Sequence, residues 1–285
     1  IPPADYADSG SGDWCPSGTI DAAILPTDTL ITLAGAEDLE LIEVGTTAML
    51  GSAATAEIVR VDAIDADTFE ITIARGCLDT VPKAWPLGTR LWSIDTYSTG
   101  SVNEYATAEV VDAKMLTRTG TDLLAESSAP GASLTLAQRA VRPYPPGLLQ
   151  FDDAAANDLS YPLAMYGAIT TTWAHRDRLL QDDQIIDTLE ASIGPEPGTT
   201  YTVRYYQPPA TLVNTQSAIS GAAATAYTFP ANGQARITVE ALRDTYGSWQ
   251  LQDHTFNYTI TAPLNLITES SDTFTTEAGD IITTE

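Results

Sequence analysis

Two histidines, two cysteines and a surplus of carboxylates form the reactive inventory of this 285-residue chain. His175 stands in His175-Arg176-Asp177-Arg178, and His-Arg-Asp opens the catalytic loop of protein phosphotransferases. That loop needs an Asn five residues after the Asp to hold a metal ion. Position 182 is Asp, no glycine-rich phosphate loop occurs, and the tripeptide ends a strand-like segment, so the phosphotransfer reading is rejected. Arg176 and Asp177 are instead expected to bond loops or neighbouring subunits, with Arg243 and Asp244 as their counterparts at the matching end of another strand. Neither His175 nor His254 lies in an HExxH or triad-type motif. Cys15 and Cys77 have no nearby His and make a poor zinc set, and a single pair is no disulfide framework; both are expected as buried free thiols. Asp5, Asp8, Ser9, Ser11 and Asp13 gather the oxygen ligands a Ca²⁺ ion takes, but without EF-hand spacing or a closing Glu, and solvated turn residues are the simpler reading. A hydrolase built on paired carboxylates is not excluded by motif, because 38 acids offer too many pairs. No catalytic residue, cofactor or metal is expected, and the chain reads as a non-enzyme.

Charge narrows the partners. Thirty-eight acidic residues face 13 basic ones, of which only Lys83 and Lys114 are lysines, for a net charge of −25. Such a surface repels phosphate backbones, since affinity for nucleic acid comes from cations that displace condensed counterions. A DNA or RNA partner is therefore excluded. The acidity suits solubility in a saline habitat, with a cationic partner as the alternative. No apolar run approaches the eighteen residues of a membrane-spanning helix, so no membrane insertion is expected. Ile1-Pro2-Pro3-Ala4-Asp5 has neither the basic start nor the apolar centre of a signal peptide and lacks an initiator Met, which suggests a processed product or a piece of something longer.

The elements that must position these residues are strands. Residues 1–19 mix Pro, Gly and Asp and read as an irregular arm. From Leu30 onward short alternating runs follow one another: 30–33, 39–45, 47–50, 56–64, 68–75 and 87–94, with Asp65-Ala66-Asp67 as a hairpin turn. Strands at 108–118 and 133–136 extend this small antiparallel β module to residue 141. Arg142-Pro143-Tyr144-Pro145-Pro146-Gly147 is extended and stiff, as a domain linker at 142–147 should be. Over 148–262, segments 168–178, 201–205, 211–215, 226–229, 235–244 and 252–260 give an immunoglobulin-like β-sandwich of about seven strands, with 182–190 as a short helix or an extra strand. The acidic tail at 263–285 repeats: Ile267-Thr268-Glu269-Ser270-Ser271-Asp272-Thr273-Phe274 is echoed by residues 275–282. The repeat suits short strands joined by tight turns and packed on the domain or on symmetry mates, with disorder as the alternative. The fold class is all-β.

Several of these stretches carry a resemblance. Trp173 on an early strand, Tyr201-Thr202-Val203-Arg204-Tyr205 and Ile237-Thr238-Val239-Glu240-Ala241 together resemble a fibronectin type III domain. Trp173-Ala174-His175-Arg176-Asp177-Arg178 followed by Ala241-Leu242-Arg243-Asp244 and Ser248-Trp249-Gln250 looks like the domain found in central hub and tip-fibre proteins of long-tailed bacteriophages and gene transfer agents. Glu57-Ile58-Val59-Arg60-Val61, the loop Arg75-Gly76-Cys77-Leu78-Asp79-Thr80-Val81-Pro82 and Gly88-Thr89-Arg90-Leu91-Trp92 are similar to the β-rich module that precedes it, and Pro-Tyr-Pro-Pro-Gly to its junction. The resemblance covers about residues 20–260. It implies a virion protein at the distal end of a phage tail, assembled in the host cytoplasm as a homotrimer with other tail-tip and tail-tube proteins and taking part in host-surface attachment. Two other readings stay open. One is a glycan- or receptor-binding module using exposed aromatics such as Trp85, Tyr97, Tyr205 and Tyr206; the other is a polysaccharide depolymerase. The candidate interface residues are Arg176, Asp177, Arg243, Asp244, Trp85, Tyr205 and Tyr206.

Overall fold

The computed structural model describes residues 15–52, 55–95, 105–152, 154–155, 164–181, 184–261, 274–275 and 281–282. It is all-β. Strands β1 (Ser17–Ile20), β2 (Leu30–Glu37), β3 (Thr47–Leu50), β4 (Glu57–Asp65), β5 (Glu70–Ala74) and β6 (Arg90–Ser93) close into an antiparallel barrel in the order β1-β2-β5-β4-β3-β6. The expected small module is thus a barrel, and its first strand starts inside the stretch read as an irregular arm. Alternation along the strands turns Ile31, Leu33, Val59, Val61, Ile71, Ile73 and Leu91 inward, where branched side chains fill the interior layer by layer. Asp65 makes the β4–β5 turn as expected: its Oδ1 accepts the N–H groups of Asp67 and Thr68.

Segment 39–45 is no strand. Leu39–Leu41 is a 3-10 turn entered through Asp38 in the left-handed conformation (φ 56°). Leu39 and Ile42 reach the barrel core while Leu41 and Val44 stay exposed. A three-residue spacing of inward side chains fits a 3-10 turn, whereas a strand would have used a spacing of two.

The rim of the barrel is fixed by a buried ion pair. Glu57 is fully buried and Arg75 nearly so. Arg75 Nε and Nη2 donate to the two Glu57 oxygens at 2.8 and 2.9 Å. The remaining donors of Arg75 go to the carbonyls of Leu25, Asp28 and Lys83. Glu57 in turn accepts from the backbone N–H of Gly76 and Lys83 and from Trp85 Nε1. All five guanidinium N–H groups are occupied, which is the condition under which a buried pair repays its desolvation. Four stretches of chain meet on these two side chains.

A hairpin of β7 (Val110–Lys114) and β8 (Gly131–Thr135) follows, and among the described residues its strands pair only with each other. The second unit is built from β9 (Gly147–Phe151), β10 (Ala154–Ala155), β11 (Ala164–Tyr166), β12 (Thr171–Ala174), β13 (Thr199–Tyr206), β14 (Leu212–Ile219), β15 (Gly233–Arg243), β16 (Tyr246–Gly247) and β17 (Gln252–Thr259). One sheet runs β10-β9-β12; the other runs β11-β17-β15-β13-β14, with β16 on the end of β15 and β11 parallel to β17. Leu149, Phe151 and Trp173 from the first share a core with Tyr201, Val203, Tyr205, Ile237, Val239, Phe256 and Tyr258 from the second.

Segment 226–229 is not a strand: Tyr227 makes an isolated bridge to Ile169, and Phe229 fills the core against Tyr258 at 5.0 Å. Residues 184–190 are neither helix nor strand but turns, with Asp187 Oδ1 accepting the N–H of Leu189 and Glu190. In the tail, β18 (Phe274–Thr275) pairs antiparallel with β19 (Ile281–Ile282), in line with the short strands that its repeat suggests. The Asp5–Asp13 cluster and the rest of the tail lie outside the described residues.

Removing one partner of the buried pair leaves the other charged and desolvated. Glu57→Ala is expected to lower unfolding stability by ~3–5 kcal/mol, measured by urea denaturation. A loss below ~1 kcal/mol would show that the pair does not hold the rim.

Candidate functional site

The polar side chains converge along a seam between the barrel and the second unit. Its apolar part lies on the outside of the barrel, where Ile58, Ala74 and Cys77 are covered by Ile185. This cover explains why β4 is buried on both faces near its start instead of alternating. Arg60 Nη1 donates to the carbonyl of Ile185, and both Nη groups reach Glu190, at 3.0 and 3.1 Å. The guanidinium holds the Glu190 carboxyl below its ordinary range, and hydrogen bonds to Asp62 and then to Glu190 keep Arg60 firmly charged. Thr188 N–H donates to the carbonyl of Arg75 at 2.9 Å, so the residue that fixes the barrel rim also holds the second unit. Gln250 completes the contact by mimicking a strand: its Nε2 donates to Ala56 O at 2.8 Å, and its Oε1 accepts the N–H of Val81 at 3.1 Å.

The connector is clamped into the same seam. Arg139 makes a forked pair with Asp79, with Nη2 to Oδ1 at 2.6 Å. Its guanidinium also stands 5.3 Å from the Trp249 ring, and that of Arg142 stands 5.7 Å from it. Arg142 Nη1 donates to Gly247 O at 3.0 Å. From the other side Arg178 Nη1 donates to Ala140 O and Arg243 Nη2 to Val141 O. Both arginines are gathered by Glu196, which is buried. Pro143, Pro145, Pro146 and Gly147 are themselves buried, and Gln252 Nε2 donates to Pro146 O. The linker is therefore packed rather than free-standing. Its stiffness comes from side-chain clamps as well as from proline.

The candidate interface residues divide. Arg176 and Asp177 are brought together with the seam but face inward. Asp177 Oδ1 accepts the N–H of Leu179 and Leu180, and its own N–H goes to Gln181. Arg176 lies against Gly147, where a Cβ would stand 2.4 Å from Nη2, and that Nη2 donates to Asp187 O. They bond loops of their own chain, being only 5% and 3% exposed, so neither is a docking residue. Arg243 pairs with Glu196, not with Arg176 or Asp177, while Asp244 is exposed at a left-handed turn (φ 55°).

Trp85 is half-buried, with its indole N–H on Glu57 and its ring over Gly51. Tyr205, expected as an exposed aromatic, is instead fully buried at 0% exposure. Tyr201, Val203 and Tyr205 share the inward face of β13, which leaves Tyr206 on the outer face under Arg236, 4.8 Å from its ring. Tyr97 lies outside the described residues.

The nucleophile and base candidates are absorbed into packing. His175 Nδ1 and the Tyr201 hydroxyl share a hydrogen bond of 2.9 Å, and burial lowers the imidazole's pKa. His254 packs edge-on to Phe151, hydrogen-bonds Gln252 Oε1, and is pushed by burial down to about 4. Both cysteines are free thiols. Cys77 is buried and its pKa is pushed up to about 12, which keeps it protonated and unreactive, whereas Cys15 is half-buried instead of fully buried. Among the described residues no group of three or more His, Cys, Asp or Glu is placed to hold a metal ion.

Two open clefts follow the seam. One of about 560 Å³ lies between Gly45 and Arg60 of the barrel and residues 184–191. The other, about 510 Å³, is lined by Leu78, Asp79, Arg139, Tyr144 and Arg178. Paired charges line both.

Sequence reasoning missed Arg60, Glu190, Glu196, Arg139 and Arg142. For Glu196 a signal existed: a single acid between two prolines in Gly194-Pro195-Glu196-Pro197-Gly198, read there only as turn punctuation.

Trp249→Ala is expected to cost ~2–3 kcal/mol through lost packing and two lost cation–π contacts. Calorimetry should then resolve separate melting of the barrel and the second unit, while one unchanged transition would deny Trp249 this role. His254 supplies a pH signature. Its folded pKa lies below the value of about 6.5 in the unfolded chain, so between pH 6.5 and 4 the unfolded state binds a proton that the folded state refuses. Stability is expected to be complete above pH 6.5 and to fall by up to ~3 kcal/mol on descending to pH 4. His254→Gln should flatten that limb in urea titrations, and an unchanged slope would exclude His254 as its source.

No protein-family model matches this chain, and no curated protein matches it.

Proposed function

We propose that this chain is a structural virion protein: part of the tail-tip or baseplate hub, or of the central tail fibre, of a long-tailed phage or gene transfer agent. It acts there in tail assembly and host-surface attachment. The observation that carries the reading is the convergence of the two motifs on which the resemblance rests. Asp79 and Val81 of the 75–82 loop meet Arg139, Trp249 and Gln250 across the seam, although loop and Trp-Gln pair are about 170 residues apart in sequence. A motif whose residues lock two β units together is what a rigid spacer requires. In this reading the second unit is a fibronectin type III-like sandwich, its Trp173 ring tilted against that of Tyr201 in the core.

The protein works through interfaces, as a homotrimer with tail-tube and tail-tip neighbours, without cofactor, catalysis, nucleic acid or membrane insertion. The sugar-binding alternative retains Tyr206 as its outward-facing tyrosine, and Arg236 already covers that ring.

Immunogold electron microscopy of purified particles tests the assignment. Label is expected at the distal end of the tail. Label elsewhere, or particles complete without the protein, would refute it.

A further inference from the structure

The larger sheet of the second unit ends in an open edge. β14 carries eight residues with neither a charge nor a proline among them. Among the described residues its backbone pairs with β13 alone, and its far side meets no strand. The donors and acceptors of such an edge are a template for another strand. Side-chain bonds hold the template in place: Gln216 Nε2 donates to Thr225 O at 2.8 Å, and Gln216 Oε1 accepts the Thr225 N–H at 2.9 Å. Register shifts near Val213 and Ala218 bend the two ends of β14, so its regular part is Asn214, Thr215 and Gln216. The other described edges of these two sheets are shorter or closed. β10 has two residues and β11 three, and bridges from Ala223 to Thr172 and from Tyr227 to Ile169 cover the side of β12.

We infer that this edge is covered by the chain's own acidic tail, with Leu266, Ile267 and Thr268 added as a further strand. Position, reach and charge carry the argument. β17 ends at Thr259, at the end of the sheet where β15 begins at Gly233 and where Tyr206 of β13 faces Leu212 of β14. The tail and β14 therefore set out from the same end, and the added strand runs parallel to β14. From β17 to the position beyond β14 is four strand spacings, about 19 Å. About six extended residues span that distance, which brings Leu266 to the edge and leaves Pro263, unable to donate to a ladder, in the crossing. Leu, Ile and Thr suit a half-buried pleated position, and the β18–β19 hairpin begins only after them. Charge favours the same pairing. Residues 199–243, which build β13, β14 and β15, carry Arg204, Arg236 and Arg243 against Glu240 alone. Residues 263–285 hold Glu269, Asp272, Glu277, Asp280 and Glu285 and no cation. A tethered strand meets the edge at an effective concentration of about millimolar, whereas a second copy must first overcome the repulsion between two chains of −25. The inference depends neither on a location in a phage tail nor on the number of copies.

Amide-resolved hydrogen exchange of the full chain tests it. Those amides of β14 that do not bond to β13 are expected to be protected about tenfold or more, and equally so at every protein concentration. Ile267→Pro combined with Thr268→Pro should return them to the unprotected rate: neighbouring N–H groups of a strand point to opposite sides, so one of the two lost donors faces β14. Thr283→Pro combined with Thr284→Pro, the same change further along the tail, should leave them within about threefold of the parent. β13 and β15 should exchange as in the parent in both variants. Unprotected β14 amides in the parent would overturn the inference. So would protection that survives the 267–268 substitutions, which is what pairing with the β14 edge of a second copy would give. Protection that falls on dilution would assign the strand to a neighbouring molecule and overturn it as well. Gold label at the tail tip would still stand in all three cases.

Discussion

Everything else in the fold depends on a carboxylate and a guanidinium that have left water together. Glu57 begins β4 and Arg75 directly follows β5, and between them they satisfy backbone groups of Leu25, Asp28, Gly76 and Lys83. A buried charge tolerates one arrangement of partners and penalises the rest, so the 75–82 loop is held in the shape that offers Asp79 and the Val81 N–H outward. Those two groups are what Arg139 and Gln250 grasp. The order of dependence runs from the pair, to the loop, to the seam.

The seam also explains where the few cations of an acidic chain are placed. Arg60, Arg139, Arg142, Arg178 and Arg243 are five of 13 basic residues, and each bonds across this junction or to the connector within it. Arginine suits the task because its planar fork binds carboxylate, carbonyl and aromatic ring at once, as Arg139 does with Asp79 and Trp249. Glu190, Asp79 and Glu196 each have an arginine partner there, so these carboxylates are neutralised where the chain packs on itself.

Strand structure was legible because its signal is local. β17 alternates buried and exposed residues from Gln252 to Thr259 without exception, and the apolar spacing in its sequence says as much. Parity alone would also have separated Tyr205 from Tyr206, since neighbours in a strand face opposite ways. Closure of the barrel was not legible, because it depends on β1 meeting β6 across about 70 residues. The Leu39–Ile42 turn was misread because Leu-x-Leu also satisfies a period of two. The seam was the least visible part. Its polar side chains are scattered from Arg60 to Gln252, and no sequence spacing announces that Glu190 will find Arg60 or that Glu196 will gather Arg178 and Arg243. Only the motif residues themselves, in the 75–82 loop and at 248–250, marked the place.

Pro143-Tyr144-Pro145-Pro146 invites comparison with a hinge pin, yet these residues are sunk into the junction with arginines gripping the chain just upstream. Bending between the barrel and the sheets would require several charge-assisted bonds to break at once. The angle between the two halves is therefore settled when a single molecule folds. Neighbours in any larger structure receive a part whose geometry is already set, and a pull on one end is felt at the other with little slack.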